Sequence, residues 1–283
     1  SYLSYKELLH SSIVVANGLR NKGVREKQVV ILQVSDRSQY FTLWWALLWL
    51  GAMPLTIAVP SEYSDDQPIA RKLKNVVSSL TDCVVISDFS DASSDAFSNR
   101  VSLIERYVNC SVFHVNDFDN TFGADVVEEL IQERSYYKAN DVAFLQLTSG
   151  STGTPKVIQI SHQGILHQVY AAAEYNKFEV GDKTLNWLPY DHVVPILTTH
   201  LRDVILGLSQ YQVPTSFVLS DPLNWLQLME KYDIQHSWSP NFGFKLVIDA
   251  LNAIDAAGGE YKISSLQNIK TLMNAGEQVI PSV

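Results

Sequence analysis

Leu145-Gln-Leu-Thr-Ser-Gly-Ser-Thr-Gly-Thr-Pro-Lys156 is the stretch whose reading decides the fold. Between Thr148 and Lys156 stand five hydroxyl residues (Thr148, Ser149, Ser151, Thr152 and Thr154), two glycines (Gly150 and Gly153) and one cation. The glycines let the backbone turn so that successive N–H groups point into one concavity, while the hydroxyls add donors and Lys156 adds charge. Such a nest suits phosphate oxygens. The spacing is not that of the commonest phosphate loop, G-x-x-x-x-G-K-[ST] opening a helix. Here Lys156 follows Pro155 and leads into Val157-Ile-Gln-Ile160, which reads as a strand, so the element is strand, loop, strand. A solvated Ser/Thr/Gly-rich turn is the plainer alternative, but it has no need of the terminal Pro-Lys pair.

Outward from this loop the chain alternates helix and strand, with no internal repeat and no low-complexity tract. Ser4, with Glu7 three residues on, is a capping-box start for a helix whose apolar positions run to Leu19. Val29-Val-Ile-Leu-Gln-Val34 is the near-continuous apolar run of a strand buried on both faces of a parallel sheet. Residues 40–50 form an aromatic helix ended by Gly51, with Trp44, Trp45 and Trp49 read as core. Residues 54–59 make a strand, 68–80 a helix and 84–86 a further buried strand. Strands separated by helices of this length mean βαβ units, and the fold class is α/β. Residues 88–100, rich in Ser and Asp, read as a surface loop. The polar link at 133–140 is the expected, soft lobe boundary.

Composition narrows the function classes. The 283 residues are 46% apolar, enough to bury one large core or two smaller ones. The net charge of −9 opposes nucleic acid as the main partner, so an anionic ligand is held by local positive groups. The longest apolar stretch, 43–59, is broken by Gly51 and Pro54, so no membrane span is expected. The chain has no basic and apolar leader, and a cytoplasmic location is expected. Cys83 and Cys110 lack metal-ligand spacing and read as buried thiols; no metal cluster is visible.

The loop resembles the phosphate-loop signature T-S-G-[ST]-T-G-x-P-K of the adenylate-forming (acyl-activating, AMP-binding) superfamily, matched at every position from Thr148 to Lys156. Five further segments agree in order: Leu3-Ser-Tyr-Lys-Glu-Leu8, Leu50-Gly-Ala-Met-Pro-Leu55, Trp187-Leu-Pro-Tyr-Asp-His192, Trp238-Ser-Pro-Asn-Phe242 and Met273-Asn-Ala-Gly-Glu277. The W-L-P-x-x-H and P-N-F patterns are most similar to the fatty acyl-AMP ligase-like adenylation domains of polyketide and nonribosomal peptide synthases. The resemblance implies the βαβ lobes of a large N-terminal domain over residues 1–283, incomplete at both ends. Family members continue with an adenine-binding Y-G-x-T-E, a ribose-binding aspartate, a hinge and a small C-terminal domain bearing the catalytic lysine, none of which is in this sequence.

What the resemblance implies about chemistry is specific. A carboxylic acid attacks the α-phosphorus of ATP to give acyl-AMP and pyrophosphate, and the acyl group passes to the phosphopantetheine thiol of an acyl or peptidyl carrier protein. Thr148, Ser149, Gly150, Ser151, Thr152, Gly153 and Lys156 are implied to bind the ATP phosphates, with Mg2+ held mainly through ATP. His192 and Lys156 are the catalytic candidates. Asn241, Phe242, Met273 and Ala275 are implied to line the substrate pocket, although residues 240–244 read equally as a helix start with core aromatics. In amino-acid-activating relatives an aspartate follows the position of His192; Val193 stands there, which points to an acid without an α-amino group. With the alignment shifted by one, Asp191 takes that place and the substrate is an amino acid. Glu277 is not the metal-binding glutamate of the family. The charges of His200-Leu-Arg-Asp203, on a helix, are read as a local pair. A freestanding acyl- or aryl-CoA ligase, and an inactive nucleotide-binding or interaction remnant, are the alternative functions.

Overall fold

A computed structural model describes residues 2–88, 94–118, 127, 131, 137–148, 156–262 and 266–280. The chain divides into two compact units, Ser1–Gly164 and Ile165–Val283. The division falls later than the 133–140 link, because the two strands that follow that link pair into the first unit's sheet.

The first unit begins with α1 (Tyr5–Asn21), entered as the sequence predicts. The Ser4 hydroxyl accepts from the Glu7 amide at 3.2 Å and the Glu7 carboxylate accepts from the Ser4 amide at 2.7 Å. Next come β1 (Val29–Gln33), α2 (Arg37–Leu50), β2 (Met53–Thr56), α3 (Pro68–Ser79), β3 (Cys83–Ser87), α4 (Ser94–Val108), β4 (Val112–His114), β5 (Val142–Leu147) and β6 (Val157–Ser161). They build a six-stranded sheet in the order β4-β3-β1-β2-β5-β6. All pairings are parallel except β5 with β6. Every residue of β1 is buried, which its unbroken apolar run requires. Alternation sends Val29 and Ile31 into a core with Leu55, Leu73, Val85, Ile104 and Leu145. Trp44 of α2 is buried edge-on to Phe144 of β5, while Trp45 and Trp49 are half-buried. Gly51 ends α2 at φ +77°, a conformation that favours glycine, and a Cβ there would also meet the Tyr137 ring at 2.7 Å.

Two expectations in this unit are corrected. The segment 88–100 is not all loop: from Ser94 it is the start of α4, whose apolar stripe (Val101, Ile104, Val108) lies beyond that window and packs on the core. Residues 89–93 lie outside the described residues. The thiols of Cys83 and Cys110 are half-buried rather than buried, and both cysteines are free.

Helix α5 (His162–Asn176) leads into the second unit, where β7 (Lys183–Asn186), β8 (Ser209–Gln212), β9 (His236–Ser239) and β10 (Thr271–Asn274) form a parallel sheet in the order β10-β9-β7-β8. A π-helix, Val194–Leu201, runs directly into α6 (Arg202–Leu206); α7 (Thr215–Ser220), α8 (Leu223–Lys231) and α9 (Asn241–Ala256) complete the unit. Its core gathers Leu185, Trp187, Leu188, Trp225, Met229, Ile234 and Val247. In a parallel sheet all strands finish at the same edge. The segments after β7, β9 and β10 therefore emerge together, the edge where open α/β sheets bind ligands.

Candidate functional site

In the first unit, β5 and β6 hold the two ends of the phosphate-loop stretch. Leu147 pairs with Val157, and the Thr148 amide donates to the Lys156 carbonyl at 3.0 Å, closing the hairpin at its mouth. Thr148 is half-buried there and Lys156 is exposed. The strand, loop, strand reading is thus what the chain forms up to both rims. Ser149, Gly150, Ser151, Thr152 and Gly153 lie outside the described residues.

In the second unit, the turn after β7 carries His192. Its amide donates to the Pro189 carbonyl at 3.4 Å, the side chain is exposed, and the π-helix begins two residues later. The turn is braced from β8: Asn186 Nδ2 donates to Gln212 Oε1 at 3.0 Å, and the Tyr190 hydroxyl donates to the same oxygen at 2.5 Å. Gln212 continues to Gln210, which meets buried His200 at 2.8 Å. Sequence reasoning missed this brace; Tyr190 within the W-L-P-x-x-H stretch was its one signal. The π-helix is itself a rare form, found disproportionately at functional sites. Val193 caps it and carries no charge.

The predicted pocket residues lie at the ends of β9 and β10. Asn241 is buried; its Oδ1 accepts from Asn274 Nδ2 at 2.9 Å and from the Ile280 amide at 3.3 Å, while the Ala275 amide donates to the Ser239 carbonyl at 3.3 Å. Asn241 and Ala275 are thereby brought to one strand edge. Phe242 is exposed and stands edge-on to Trp187 at 6.0 Å, whereas Phe244 packs against Trp225 in the core. The helix-start reading of 240–244 is realised, with Phe244 as its core aromatic. Glu277 Oε1 accepts from the Phe242 amide at 2.5 Å, so its carboxylate caps the first turn of α9. Met273 of β10 is half-buried beside its register partner Trp238.

Behind this edge lies a buried ionic layer. Arg202 pairs with Asp203 at 2.6 Å, both buried, and the Thr184 hydroxyl donates to the same carboxylate at 2.5 Å. The local pair expected at 200–203 exists and is also tied to β7. Burial pushes the Asp203 carboxyl up to about 6 against the opposing pull of Arg202. Burial lowers His200 to about 4. His236 contacts Asp182 at 2.9 Å, and Asp182 also accepts from Lys270 at 2.9 Å. Burial holds the His236 ring below its ordinary pKa despite that carboxylate. Burial works against ionisation of Asp182, but the bonds from His236 and Lys270 outweigh it and keep the group below the usual range.

Compared with known sequences, residues 1–283 match the family described as AMP-binding enzyme. The chain belongs to the AMP-binding enzyme family. It is similar to microperfuranone synthase of Emericella nidulans, 25% identical over 278 residues, covering 97% of this chain and 28% of that protein. The chain spans about a quarter of the length of the curated relatives it matches. Among solved structures, McyG A-PCP complexed with phenylalanyl-adenylate superposes at a TM-score of 0.85 with 30% identity, over 99% of this chain and 42% of that one. The adenylation domain of a keto acid-selecting NRPS module, bound to keto acyl adenylate, superposes at 0.83 with 26% identity, over 99% and 49%. A fatty acyl-adenylate ligase of L. pneumophila, 20% identical at a TM-score of 0.80 over 100% of this chain and 46% of that one, shares the fold. The family is one of adenylate-forming ligases, and the α/β lobes described above are the N-terminal lobes of its adenylation domains.

Among the described residues no group of three or more His, Cys, Asp or Glu side chains is placed to hold a metal ion, and no helix is long and apolar enough to cross a membrane.

Proposed function

We propose that this chain is part of an adenylation domain that activates a carboxylic acid lacking an α-amino group, as its acyl adenylate, and passes the acyl group to the phosphopantetheine thiol of a carrier protein in a polyketide or nonribosomal peptide pathway. The observation that carries this reading is the closed β5–β6 hairpin, which presents Thr148 and Lys156 at the two rims of a loop whose residue types suit phosphate. The attack of a carboxylate on the α-phosphorus crowds negative charge, so positioned donors and a fixed cation stabilise the transition state. Lys156, exposed at the rim, supplies that charge to the ATP phosphates, with Ser149, Gly150, Ser151, Thr152 and Gly153 as the donors between. Mg2+ bound with ATP would supply further positive charge to the phosphate oxygens.

The acid is assigned to the edge formed by β7, β9 and β10, with Asn241, Phe242, Met273 and Ala275 as lining and His192 at the turn beside it. Val193 offers nothing to pair an ammonium, and a buried unpaired cation is costly. The likeness to a domain bound to keto acyl adenylate supports an α-keto acid; the likeness to one bound to phenylalanyl-adenylate supports the amino-acid alternative, with Asp191 as the pairing group. Acid-dependent exchange of labelled pyrophosphate into ATP, measured on the complete protein carrying this chain with matched α-keto, α-hydroxy and α-amino acids, tests both. Activation of the keto or hydroxy acid well above the amino acid is expected; preference for the amino acid reverses the assignment, and no activation of any acid overturns it.

A further inference from the structure

The chain holds two cysteines, and the sheet of the first unit brings them side by side. Val85 of β3 pairs with Val112 of β4, and the Val85 amide donates at 3.0 Å to the carbonyl of Ser111, one residue before β4 begins. Counting back two residues from that pair sets Cys110 opposite Cys83, at the mouth of the same ladder. Side chains two apart share a face, so both thiols stand on the core face with Val85 and Val112. Both cysteines pack at the margin of that core and both are half-buried, within reach of a small reagent from solvent. Neighbouring strands run about 4.8 Å apart, inside the Cα separation of roughly 4.4–6.8 Å that a disulfide spans.

The surroundings divide the two thiols by role. Cys110 draws the Cys83 thiol below its ordinary pKa, against burial and against the charge of Asp82. That carboxylate is itself taken up by Arg25 at 2.8 Å and by the Gln28 side-chain amide at 2.7 Å. Cys83 pushes the Cys110 thiol the other way, and burial adds to it. Cys83 is thus the thiol that ionises first, and attack by a thiolate is what starts disulfide exchange. Helix α4 joins the two strands, so a bond between the cysteines closes β3, α4 and β4 into one ring and fastens β4, the outermost strand of the sheet.

We propose that Cys83 and Cys110 form a redox-responsive pair, closed to an intramolecular disulfide by a small disulfide oxidant such as oxidised glutathione and reopened by a dithiol. The Cys83 thiolate, its proton released to solvent, attacks one sulfur of the oxidant; the oxidant's S–S bond breaks, and one half leaves as a thiol. Cys110 then loses its proton and attacks the Cys83 sulfur of the mixed disulfide, and the second half leaves as a thiol. The cysteine pair gives up two electrons, and the oxidant is reduced to two thiols. This modification site stands apart from the assignments of ATP and acid made above.

The test incubates the 283-residue chain in a fixed mixture of reduced and oxidised glutathione, quenches it by alkylation and weighs it. The expected product is about 2 Da lighter than the reduced chain and takes up no alkyl group. Digestion without reductant should yield a peptide pair joining Cys83 to Cys110, and dithiothreitol should restore two alkylatable thiols. In the same mixture with enough urea to unfold the chain, the ratio of disulfide to dithiol is expected to fall by roughly 10-fold or more, because only the fold holds the thiols together. A native chain that stays reduced, that takes up two glutathiones without closing, or that closes no more readily than the unfolded one overturns the pairing. Limiting iodoacetamide should label Cys83 before Cys110 in the reduced native chain; equal labelling, or Cys110 first, overturns the order of attack.

Discussion

At the scale of single residues, the site rests on few charges, and each has a distinct signature. Lys156→Ala removes the one cation at the rim of the phosphate-loop hairpin without touching the backbone bond from Thr148, so a loss of about 100-fold in acid-dependent pyrophosphate exchange is expected with unfolding midpoints unchanged. Full activity in that variant removes the loop from the reaction. His200 has a signature in stability. Its folded pKa, about 4, lies below the ordinary 6.5, so the ring stays neutral in the fold while the unfolded chain takes up a proton. Its contribution is whole above pH 6.5 and is lost as pH falls toward 4, corresponding to roughly 3 kcal/mol. Asp203 acts in the opposite sense. With its carboxyl pushed up from 3.8 to about 6, its contribution is whole below 3.8 and lost as pH rises through about 6. The two offset each other over much of the same window, so subtraction isolates one of them. The stability gap between the wild-type chain and His200→Asn should shrink by up to roughly 3 kcal/mol between pH 7 and pH 4 in urea unfolding. A gap that does not change with pH would show that burial is not what holds the ring neutral.

At the scale of elements, α9 meets the sheet through a glycine. A Cβ on Gly243 would run into the Ser239 hydroxyl and lie 2.9 Å from the ring of Trp187, which is itself buried and packed against Trp225 and Phe242. A buried ring in contact with two others cannot give way freely, so Gly243→Ala should cost about 1–3 kcal/mol, read as a lower urea midpoint. An unchanged midpoint would mean that α9 slides freely on its sheet. Such contacts also explain what the sequence could tell. The strand β1 was legible because four successive apolar residues leave no exposed face, and the start of α1 because Ser4 and Glu7 satisfy backbone donors locally. The strand-end positions Asn241 and Ala275 were legible through short motifs. The helix α4 was not, since its first seven residues offer only Ala96 and Phe97 as apolar positions and the stripe that packs on the core begins at Val101. Nor was the π-helix, because Val194, Ile196 and Leu197 suit an α-helix equally and packing decides the pitch. The Asn186–Gln212–Tyr190 brace joins side chains over 20 residues apart and leaves no periodic trace.

At the scale of the whole molecule, each compact unit has a core of its own. Leu55→Ala in the first core and Leu185→Ala in the second, each removing a fully buried side chain, should cost about 2–5 kcal/mol apiece. Each should lower the unfolding midpoint in calorimetry, and a midpoint left unchanged by either would refute the packing of that side chain in its core. The chain's one antiparallel ladder among the described residues, β5 with β6, carries a consequence for how the molecule assembles. Every parallel pair waits for its strands to meet across a crossover, and non-local pairings of that kind are slow. The hairpin needs only a short segment to close, an event on the order of 1–10 μs. In time, therefore, the loop that resembles a nucleotide cradle has its two rims joined before the sheet beneath it exists, and slowing mutations at Leu147 or Val157 would mark it as part of the folding nucleus.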